Sequence, residues 1–288
     1  MRQETKSLTL SDGCKLAYER VGSEDRALPN LVLLHGWSAS RHYFDLNVSG
    51  LAKHCTVWAV DQRFHGSSGR PTWGYHIARL AADLREFLEI LDLWEVTVVG
   101  TSMGAAVIWA YIELFGHSHL SKLVFVDQAP LQNVAEDWKL GSKGCYDSAS
   151  LARLQSRLTL DFPGFAADTV RDCMTRPVGE SVKTALIEET LRCNPRDLAR
   201  LMADHTQLDW RPILPRIAVP CLNLVGRQSE VFPWQGCAVV GEHIPECQTI
   251  YFEGANHWLY IEEPEKFNSL VTAFVQHGLI GVKGKSSV

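Results

Sequence analysis

The 288-residue sequence lacks long apolar runs and blocks of like charge. No apolar run approaches the roughly 18 residues that a membrane-spanning helix requires, so an integral membrane protein is not expected. The formal net charge is −5, and both signs of charge are mixed along the chain without a basic block. Such a surface is unsuited to nucleic acid or to an anionic membrane. We therefore expect neither nucleic acid nor a membrane as a partner.

The chain also lacks paired metal-ligand and redox motifs. Its eight cysteines include no C-x-x-C pair and stand at positions 14, 55, 145, 173, 193, 221, 237 and 247. Residues 1–6 are polar and lack the apolar stretch of a secretory signal, so we expect a cytoplasmic protein with reduced thiols. The pairs His117/His119 and His35/His42 have no matching carboxylate or cysteine set, and no glycine-rich phosphate loop follows the first strand. We therefore expect neither a metal site nor a cofactor.

Strand and helix patterns alternate along most of the chain. Two short strands around a D-G turn, residues 8–10 and 15–20, are predicted to form a hairpin. An amphipathic helix is predicted over 77–91. Buried strands are predicted from unbroken apolar runs at residues 31–34, 56–60, 96–99, 123–126, 222–225 and 249–252. This alternation indicates an α/β fold, with helices on both faces of a mostly parallel, doubly wound, eight-stranded sheet.

The alternation stops after Val126. From residue 131 to residue 212 the sequence has helical patterns, such as 151–158 and 195–202, but no convincing strand. Prolines at positions 212, 215 and 220 then mark the return to the sheet. We therefore predict a helical cap, or lid, over 131–212, inserted into a core formed by 1–130 and 213–288.

A glycine-bounded serine stands at the junction of a predicted strand and a predicted helix. Residues 100–104 read Gly-Thr-Ser-Met-Gly, and they lie between the apolar run 96–99 and the helical pattern 105–110. In this context G-x-S-x-G holds the serine on a sharp turn, where side chains at the glycine positions would collide with neighbouring backbone. The turn also places the N–H of Met103 at a helix start, aimed at any negative charge nearby. We therefore predict that Ser102 is a nucleophile.

A serine hydroxyl becomes a nucleophile only when a base takes its proton and an acid orients that base. His257 lies on a loop after the last predicted strand, at the carboxyl edge of the sheet, where it can approach Ser102. His35-Gly36-Trp37 follows the first buried strand, and a turn there can aim the Trp37 N–H at the same point as the Met103 N–H. We predict that these two N–H groups form an oxyanion hole. His35 itself is interpreted as a structural residue.

Together these motifs resemble the α/β-hydrolase superfamily. The resemblance rests on residues 35–37, 61–68 and 100–104 and on the His257 loop, and it extends over about 8–276. More narrowly, the chain is similar to the capped branch that includes cofactor-free haloperoxidases, esterases, lactonases and carbon–carbon bond hydrolases. The resemblance implies the α/β-hydrolase fold with an inserted helical cap. The serine nucleophile separates the chain from haloalkane dehalogenases and epoxide hydrolases, which use aspartate at that position.

The position of the acid departs from the branch's pattern. Most members carry an aspartate three residues after a glycine on the loop that follows the strand after the cap, and here Ser229 stands at that position. Two other residues could supply the acid. Glu230 is one residue further along, and Asp127 ends the strand beside the one that bears Ser102. We favour Asp127, because catalytic groups gather at the carboxyl ends of strands in open α/β sheets.

The resemblance implies a serine hydrolase that acts on an ester or lactone through an acyl-enzyme. Because no cluster of Arg or Lys stands near the motifs, we expect the substrate to be small and neutral to moderately apolar. Trp138, Trp210 and Trp258 are predicted to bind substrate, since the cap is expected to roof the pocket. The same residues could serve carbon–carbon bond hydrolysis or perhydrolysis, or a slow-turnover ligand receptor of the same fold. We expect a monomer or a homodimer.

Overall fold

The computed structural model describes residues 4–22 and 28–279. Within them the predicted strands are all present, at nearly the predicted bounds. They are β1 (Lys6–Thr9), β2 (Lys15–Val21), β3 (Asn30–Leu34), β4 (Thr56–Val60), β5 (Val96–Thr101), β6 (Leu120–Val126), β7 (Cys221–Gly226) and β8 (Cys247–Phe252). The eight strands form one sheet in the order β1-β2-β4-β3-β5-β6-β7-β8.

The sheet is mostly parallel. The first two strands pair antiparallel as the predicted hairpin, and β2 also pairs antiparallel with β4. The pairings from β4 through β3, β5, β6 and β7 to β8 are parallel. In such a sheet the carboxyl ends of the parallel strands meet at one edge, and this edge gathers the loops after β3, β5, β6, β7 and β8. The predicted fold class is confirmed.

Helices cover both faces of the sheet. They are α1 (Asp45–Leu51), α2 (Ile77–Ile90), α3 (Met103–Phe115), α4 (Ser148–Leu160), α5 (Phe162–Asp172), α6 (Glu180–Leu191), α7 (Pro195–His205), α8 (Trp234–His243), α9 (Leu259–Glu262) and α10 (Pro264–His277). Successive residues of β3 point into two separate apolar cores, one that includes α2 and α3 and one that includes α1 and α10. Within the two described ranges, no helix is both long and apolar enough to cross a membrane.

Four α-helices, α4 to α7, lie between β6 and β7. In this stretch α4 packs against α7 and α5 packs against α6. The two ends of the stretch meet, because Leu131 forms an antiparallel bridge with Asp209 and the Trp210 N–H donates to the Pro130 carbonyl at 2.9 Å. Residues 127–220, all of which the structure describes, form these helices and isolated bridges but no strand. The division into a cap at 131–212 and a core at 1–130 and 213–288 stays a prediction.

Candidate active site

Ser102 occupies a sharp corner between β5 and α3. Its backbone lies at φ 50° and ψ −124°, a conformation that a residue with a side chain adopts only at a cost. The two flanking glycines make the corner possible. A methyl group on Gly100 would lie 2.5 Å from the backbone of Gly104, and one on Gly104 would lie 2.5 Å from the Leu34 carbonyl oxygen. The serine hydroxyl is therefore held above the carboxyl edge of the sheet.

The loop after β3 lies directly against this serine. A methyl group on Gly36 would be 3.1 Å from the Ser102 Cβ and 3.7 Å from its Oγ, so only glycine allows this approach without displacement. Within the described chain, the N–H groups of Trp37 and Met103 have no hydrogen-bond acceptor. The Trp37 indole, in contrast, donates to the Leu198 carbonyl on α7 at 3.0 Å and so joins this loop to the helical insertion.

Two buried histidines brace the same loop. His35 donates from Nδ1 to the Gly36 carbonyl at 2.7 Å and accepts the Gln62 N–H at Nε2. His65 donates to the Arg63 carbonyl and accepts the Ser38 N–H. Burial lowers the pKa of His35 to about 4 and that of His65 to about 3, so both rings are neutral near pH 7 and can accept at Nε2. The structural role predicted for His35 is confirmed.

His257 and Asp127 meet beyond the carboxyl ends of β8 and β6. The His257 Nδ1–H donates to Asp127 Oδ2 at 2.7 Å, and the two side chains are 6 % and 0 % exposed. Two further donors hold the carboxylate: the Gly226 N–H reaches Oδ1 at 2.9 Å, and the Ser229 hydroxyl reaches Oδ2 at 2.6 Å. These bonds leave the Nε2 side of His257 as the side that can act on another group.

Glu230, the alternative acid, lies elsewhere. Its carboxylate accepts a hydrogen bond from the Lys143 ammonium at 3.2 Å, and the side chain is 65 % exposed. Its backbone N–H donates to Asn256 Oδ1. The structure thus brings Asp127 to His257 and leaves Glu230 at the surface. Ser229, at the position where the branch usually carries its acid, is buried and hydrogen-bonded to Asp127.

Ser102 and His257 line the same cavity, whose volume is about 320 Å³. Within the described residues no hydrogen bond joins their side chains; catalytic hydrogen bonds of this kind often tighten only when substrate is bound. The apolar part of the wall is contributed by the loop after β3, by the helical insertion and by the loops after β7 and β8: Trp37, Leu154, Phe165, Met202, Val231 and Trp258. A nucleophile and a base therefore face one partly apolar cavity.

Comparison with known proteins gives the family. A family model for the alpha/beta hydrolase fold matches residues 29–202. The chain belongs to the α/β-hydrolase family. It is 27% identical over 285 residues to a non-heme chloroperoxidase of Streptomyces lividans, an alignment that covers 94% of this chain and 99% of the relative.

Solved structures agree with this assignment at the level of the fold. An esterase from Exiguobacterium antarcticum superposes with a TM-score of 0.88 at 24% identity, and a bromoperoxidase from Bacillus anthracis superposes with a TM-score of 0.87, also at 24% identity. Each superposition covers 95% of this chain and 100% of the other chain. The family assignment makes the protein a hydrolase, and 95% of its chain follows the architecture of these solved structures.

Two of the tryptophans predicted to bind substrate lie outside the cavity of this hydrolase. Trp138 donates to the Leu131 carbonyl at 3.0 Å and packs in a small apolar cluster with Phe232. Trp210 packs into the large core on the α2–α3 face. Trp258 does line the cavity, as does Trp37. Trp138 and Trp210 pack away from the cavity, because the ends of the insertion fold back onto the core.

Sequence reasoning missed several polar residues of the cavity wall. His205, at the end of α7, and Gln132, in the loop after β6, both line the cavity. Neither stands in a motif, and their meeting depends on how the insertion packs. The sequence identifies Ser229 only as a departure from the expected acid, and its position on the loop after β7 is the signal that points to it. In the described ranges no group of three or more His, Cys, Asp or Glu side chains is arranged to hold a metal ion.

Proposed function

We propose that this hydrolase cleaves small, neutral to moderately apolar esters or lactones through an acyl-enzyme on Ser102. The observation that carries the proposal is the buried hydrogen bond from His257 to Asp127, made by a histidine that lines one cavity with a serine held on a strained corner. A nucleophile, a base and an orienting acid are the set that acyl transfer requires.

In the proposed reaction, His257 Nε2 takes the proton of the Ser102 hydroxyl as Oγ attacks the ester carbonyl. The tetrahedral intermediate then expels the alcohol, which receives the proton from the imidazolium, and an acyl-enzyme remains. A water molecule gives its proton to His257 and attacks the acyl group, and the collapse of the second intermediate returns the proton to Ser102 and releases the acid. Asp127 holds the Nδ1–H tautomer and stabilises the imidazolium in both halves of the cycle.

The Trp37 and Met103 N–H groups are the proposed oxyanion hole. Both lack an acceptor within the described residues, and Gly36 allows the Trp37 loop to lie against Ser102. Donors placed in this way before the reaction stabilise the oxyanion without reorganisation, and each contributes about 3 kcal/mol by analogy with measured oxyanion holes. Two such donors beside Ser102 support acyl transfer as the reaction.

The wall of the cavity supports the choice of substrate class. Apolar atoms contribute most of its exposed surface, and a volume of about 320 Å³ suits a small organic molecule. Its charged residues are Arg157, Asp168, Asp172 and Glu230, of which Arg157 pairs with Asp168. Because carboxylates outnumber the single guanidinium, a neutral substrate is favoured over an anionic one. Binding of substrate by Trp258 belongs to the same proposal, as do the cytoplasmic location and a monomeric or homodimeric state.

Perhydrolysis is the second candidate function. It is favoured by the chloroperoxidase relative, which matches this chain over nearly its full length. In that reaction hydrogen peroxide, rather than water, gives its proton to His257 and attacks the acyl group on Ser102, which releases a peracid. The two functions share every step up to the acyl-enzyme and differ in the second nucleophile.

Labelling with a fluorophosphonate tests the proposal without knowledge of the substrate. The reagent is expected to modify wild-type protein at Ser102, and Ser102→Ala is expected to abolish labelling. Release of acid from a panel of phenyl esters and lactones, with and without peroxide, then separates hydrolysis from perhydrolysis. Unmodified wild-type protein, together with no turnover of any ester or lactone, would refute the acyl-enzyme mechanism.

A further inference from the structure

The wall of the cavity contains two polar side chains that each carry one buried atom without a hydrogen-bond partner among the described residues. Several buried side-chain nitrogen and oxygen atoms of the described residues have no hydrogen-bond partner, and two of them belong to residues of the cavity wall. They are His205 Nδ1 and Gln132 Oε1. Such atoms cost free energy when they are left unpaired, so a specific one calls for an explanation.

Both side chains are buried, whereas the charged side chains of the cavity wall are partly exposed. His205 is 2 % exposed and Gln132 is 7 % exposed. The side chains of Arg157, Asp168 and Glu230 are all at least 31 % exposed, and each is engaged in an ion pair. The imidazole and the carboxamide are therefore the buried polar groups of this wall, and the charged side chains are its exposed ones.

The backbone explains how these two residues come to share one cavity. Gln132 directly follows Leu131, whose bridge to Asp209 closes the base of the insertion. His205 ends α7 four residues before Asp209, and Met202, one turn earlier on the same helix, also lines the cavity. The junction between the insertion and the sheet thus supplies both polar groups, while Ser102 and His257 come from the sheet edge.

The imidazole of His205 is neutral at physiological pH, because complete burial lowers its pKa to about 4. A neutral imidazole offers one N–H donor and one acceptor nitrogen, and the Gln132 carboxamide offers an acceptor oxygen and N–H donors. A ligand group that both donates and accepts satisfies this pair. A carboxylate cannot, because it only accepts hydrogen bonds and would leave the acceptor atoms unpaired.

From these observations we propose that His205 and Gln132 form a polar subsite that binds a hydroxyl group on the part of the substrate remote from the scissile bond. The inference rests on the proposed function and narrows its substrate class to hydroxylated esters or lactones. The hydroxyl accepts the N–H of one partner and donates to the free acceptor of the other. Substrates that lack this group leave the two polar side chains unpaired, which is how a buried polar site discriminates.

The test compares phenyl esters of straight-chain acids that carry one hydroxyl at successive carbons, each beside its unsubstituted ester and its methyl ether. Ser102→Ala measures the background of spontaneous cleavage. For at least one position of the hydroxyl, wild-type kcat/KM is expected to exceed that of the unsubstituted ester by about tenfold or more, with the methyl ether close to the unsubstituted ester. Equal kcat/KM for every hydroxylated ester and its unsubstituted partner would overturn the proposal.

Variants assign the preference to the two residues. In His205→Phe and Gln132→Leu the ratio of the two kcat/KM values is expected to fall towards one. Gln128→Leu is the matched control, because Gln128 Oε1 is also buried without a partner but the residue does not line the cavity; there the ratio is expected to stay as in wild type. If His205→Phe does not fold, Gln132→Leu decides alone, and a ratio unchanged in the folded variants refutes the assignment.

Binding separates a failure of the subsite from a failure of the proposed function. Calorimetric titration of Ser102→Ala with a hydroxylated ester and with its unsubstituted partner needs no turnover. Tighter binding of the hydroxylated ester, together with absence of fluorophosphonate labelling in wild type, would keep the subsite and reject the acyl-enzyme. Rapid ester turnover with equal binding of the two esters would reject the subsite and keep the acyl-enzyme.

Discussion

Replacement of Asp127 by asparagine tests which carboxylate orients His257. The exchange keeps the size of the side chain, and its amide oxygen can still accept the Gly226 N–H that reaches Oδ1 at 2.9 Å in wild type. The amide nitrogen then faces His257 Nδ1, which lies 2.7 Å from Oδ2 in wild type. An amide N–H can only donate, so the imidazole is forced to carry its proton on Nε2 instead.

The size of the effect follows from this change of tautomer. With Nε2 protonated, His257 cannot accept the proton of Ser102, and the imidazolium of the transition state loses a buried counter-charge. The same exchange in the catalytic triad of a serine protease lowers kcat by about 10⁴-fold, and a loss of that order is expected here. Because Asp127 does not line the cavity, KM should change little.

The assay is steady-state hydrolysis of a phenyl ester, with Glu230→Gln as the matched control. The Glu230 carboxylate bonds Lys143 at the surface, so its removal is expected to change kcat less than about threefold. Circular dichroism and thermal unfolding establish that both variants fold. A near-normal Asp127→Asn enzyme beside a disabled Glu230→Gln enzyme would refute the assignment of the acid.

Three further predictions concern the supports of the site. Ser229→Ala removes a 2.6 Å donor to Asp127 and should lower kcat by about tenfold, measured on the same ester; an unchanged kcat contradicts it. Gly100→Ala places a methyl group 2.5 Å from backbone atoms and should lower the free energy of unfolding in urea by about 3 kcal/mol; an unshifted midpoint contradicts it. Since the pKa values of His35 and His65 are lowered to about 4 and about 3, the unfolded chain binds more protons below pH 6.5, and each histidine should cost about 2 kcal/mol of stability between pH 7 and pH 5. In urea titrations, the free energy of unfolding of a His65→Gln variant should lack the contribution of one histidine to this pH dependence. Equal pH dependence in the variant and in wild type contradicts the prediction.

The parallel strands could be predicted because their local pattern and their burial coincide. All five residues of β4 are buried, and the apolar run 56–60 has the same bounds. The predicted start of β6 is three residues late, since Ser121 and Lys122 interrupt the apolar pattern, although Leu120 and Lys122 still pair with β5 on either side of a register shift. Polar residues at the start of a strand hide that start from the sequence pattern, because it is defined by pairing with the neighbouring strand.

The helical insertion was predicted as a region, but α5 and α6 were not distinguished within it. The buried residues of α6 include Glu189 and Thr190 beside Leu186, so its inner face carries little apolar signal. Polar contacts explain this, because Glu189 accepts the Ser40 hydroxyl at 2.7 Å and Thr190 contacts the Tyr43 hydroxyl. A helix held to the core by hydrogen bonds is not found by hydrophobic periodicity.

The nucleophile and the base could be predicted because each follows a strand in a recognisable context, whereas the pocket residues depend on the fold of the insertion. Trp138 and Trp210 show the limit, since a tryptophan count says nothing about which indoles face a cavity. His205 and Gln132 show the converse. Both sit in ordinary sequence, and their segments meet at the same wall through the Leu131–Asp209 bridge and the Trp210 N–H bond to Pro130.

The ambiguity over the acid has its origin in the geometry of adjacent strands. Asp127 repeats, one strand further along, the corner that holds Ser102: its φ is 47° against 50° for the serine. The Ser102 N–H donates to the Val126 carbonyl at 2.9 Å, and the Asp127 N–H donates to the Leu224 carbonyl at the same distance. A side chain at the end of β6 therefore projects over the same sheet edge as one on the loop after β7, and either can meet a histidine on the loop after β8.

A residue with positive φ directly after a buried parallel strand is strained, and strain of this kind persists where function requires it. This supports the placement of the acid on β6, with the serine at 229 kept as a hydrogen-bond donor to the carboxylate.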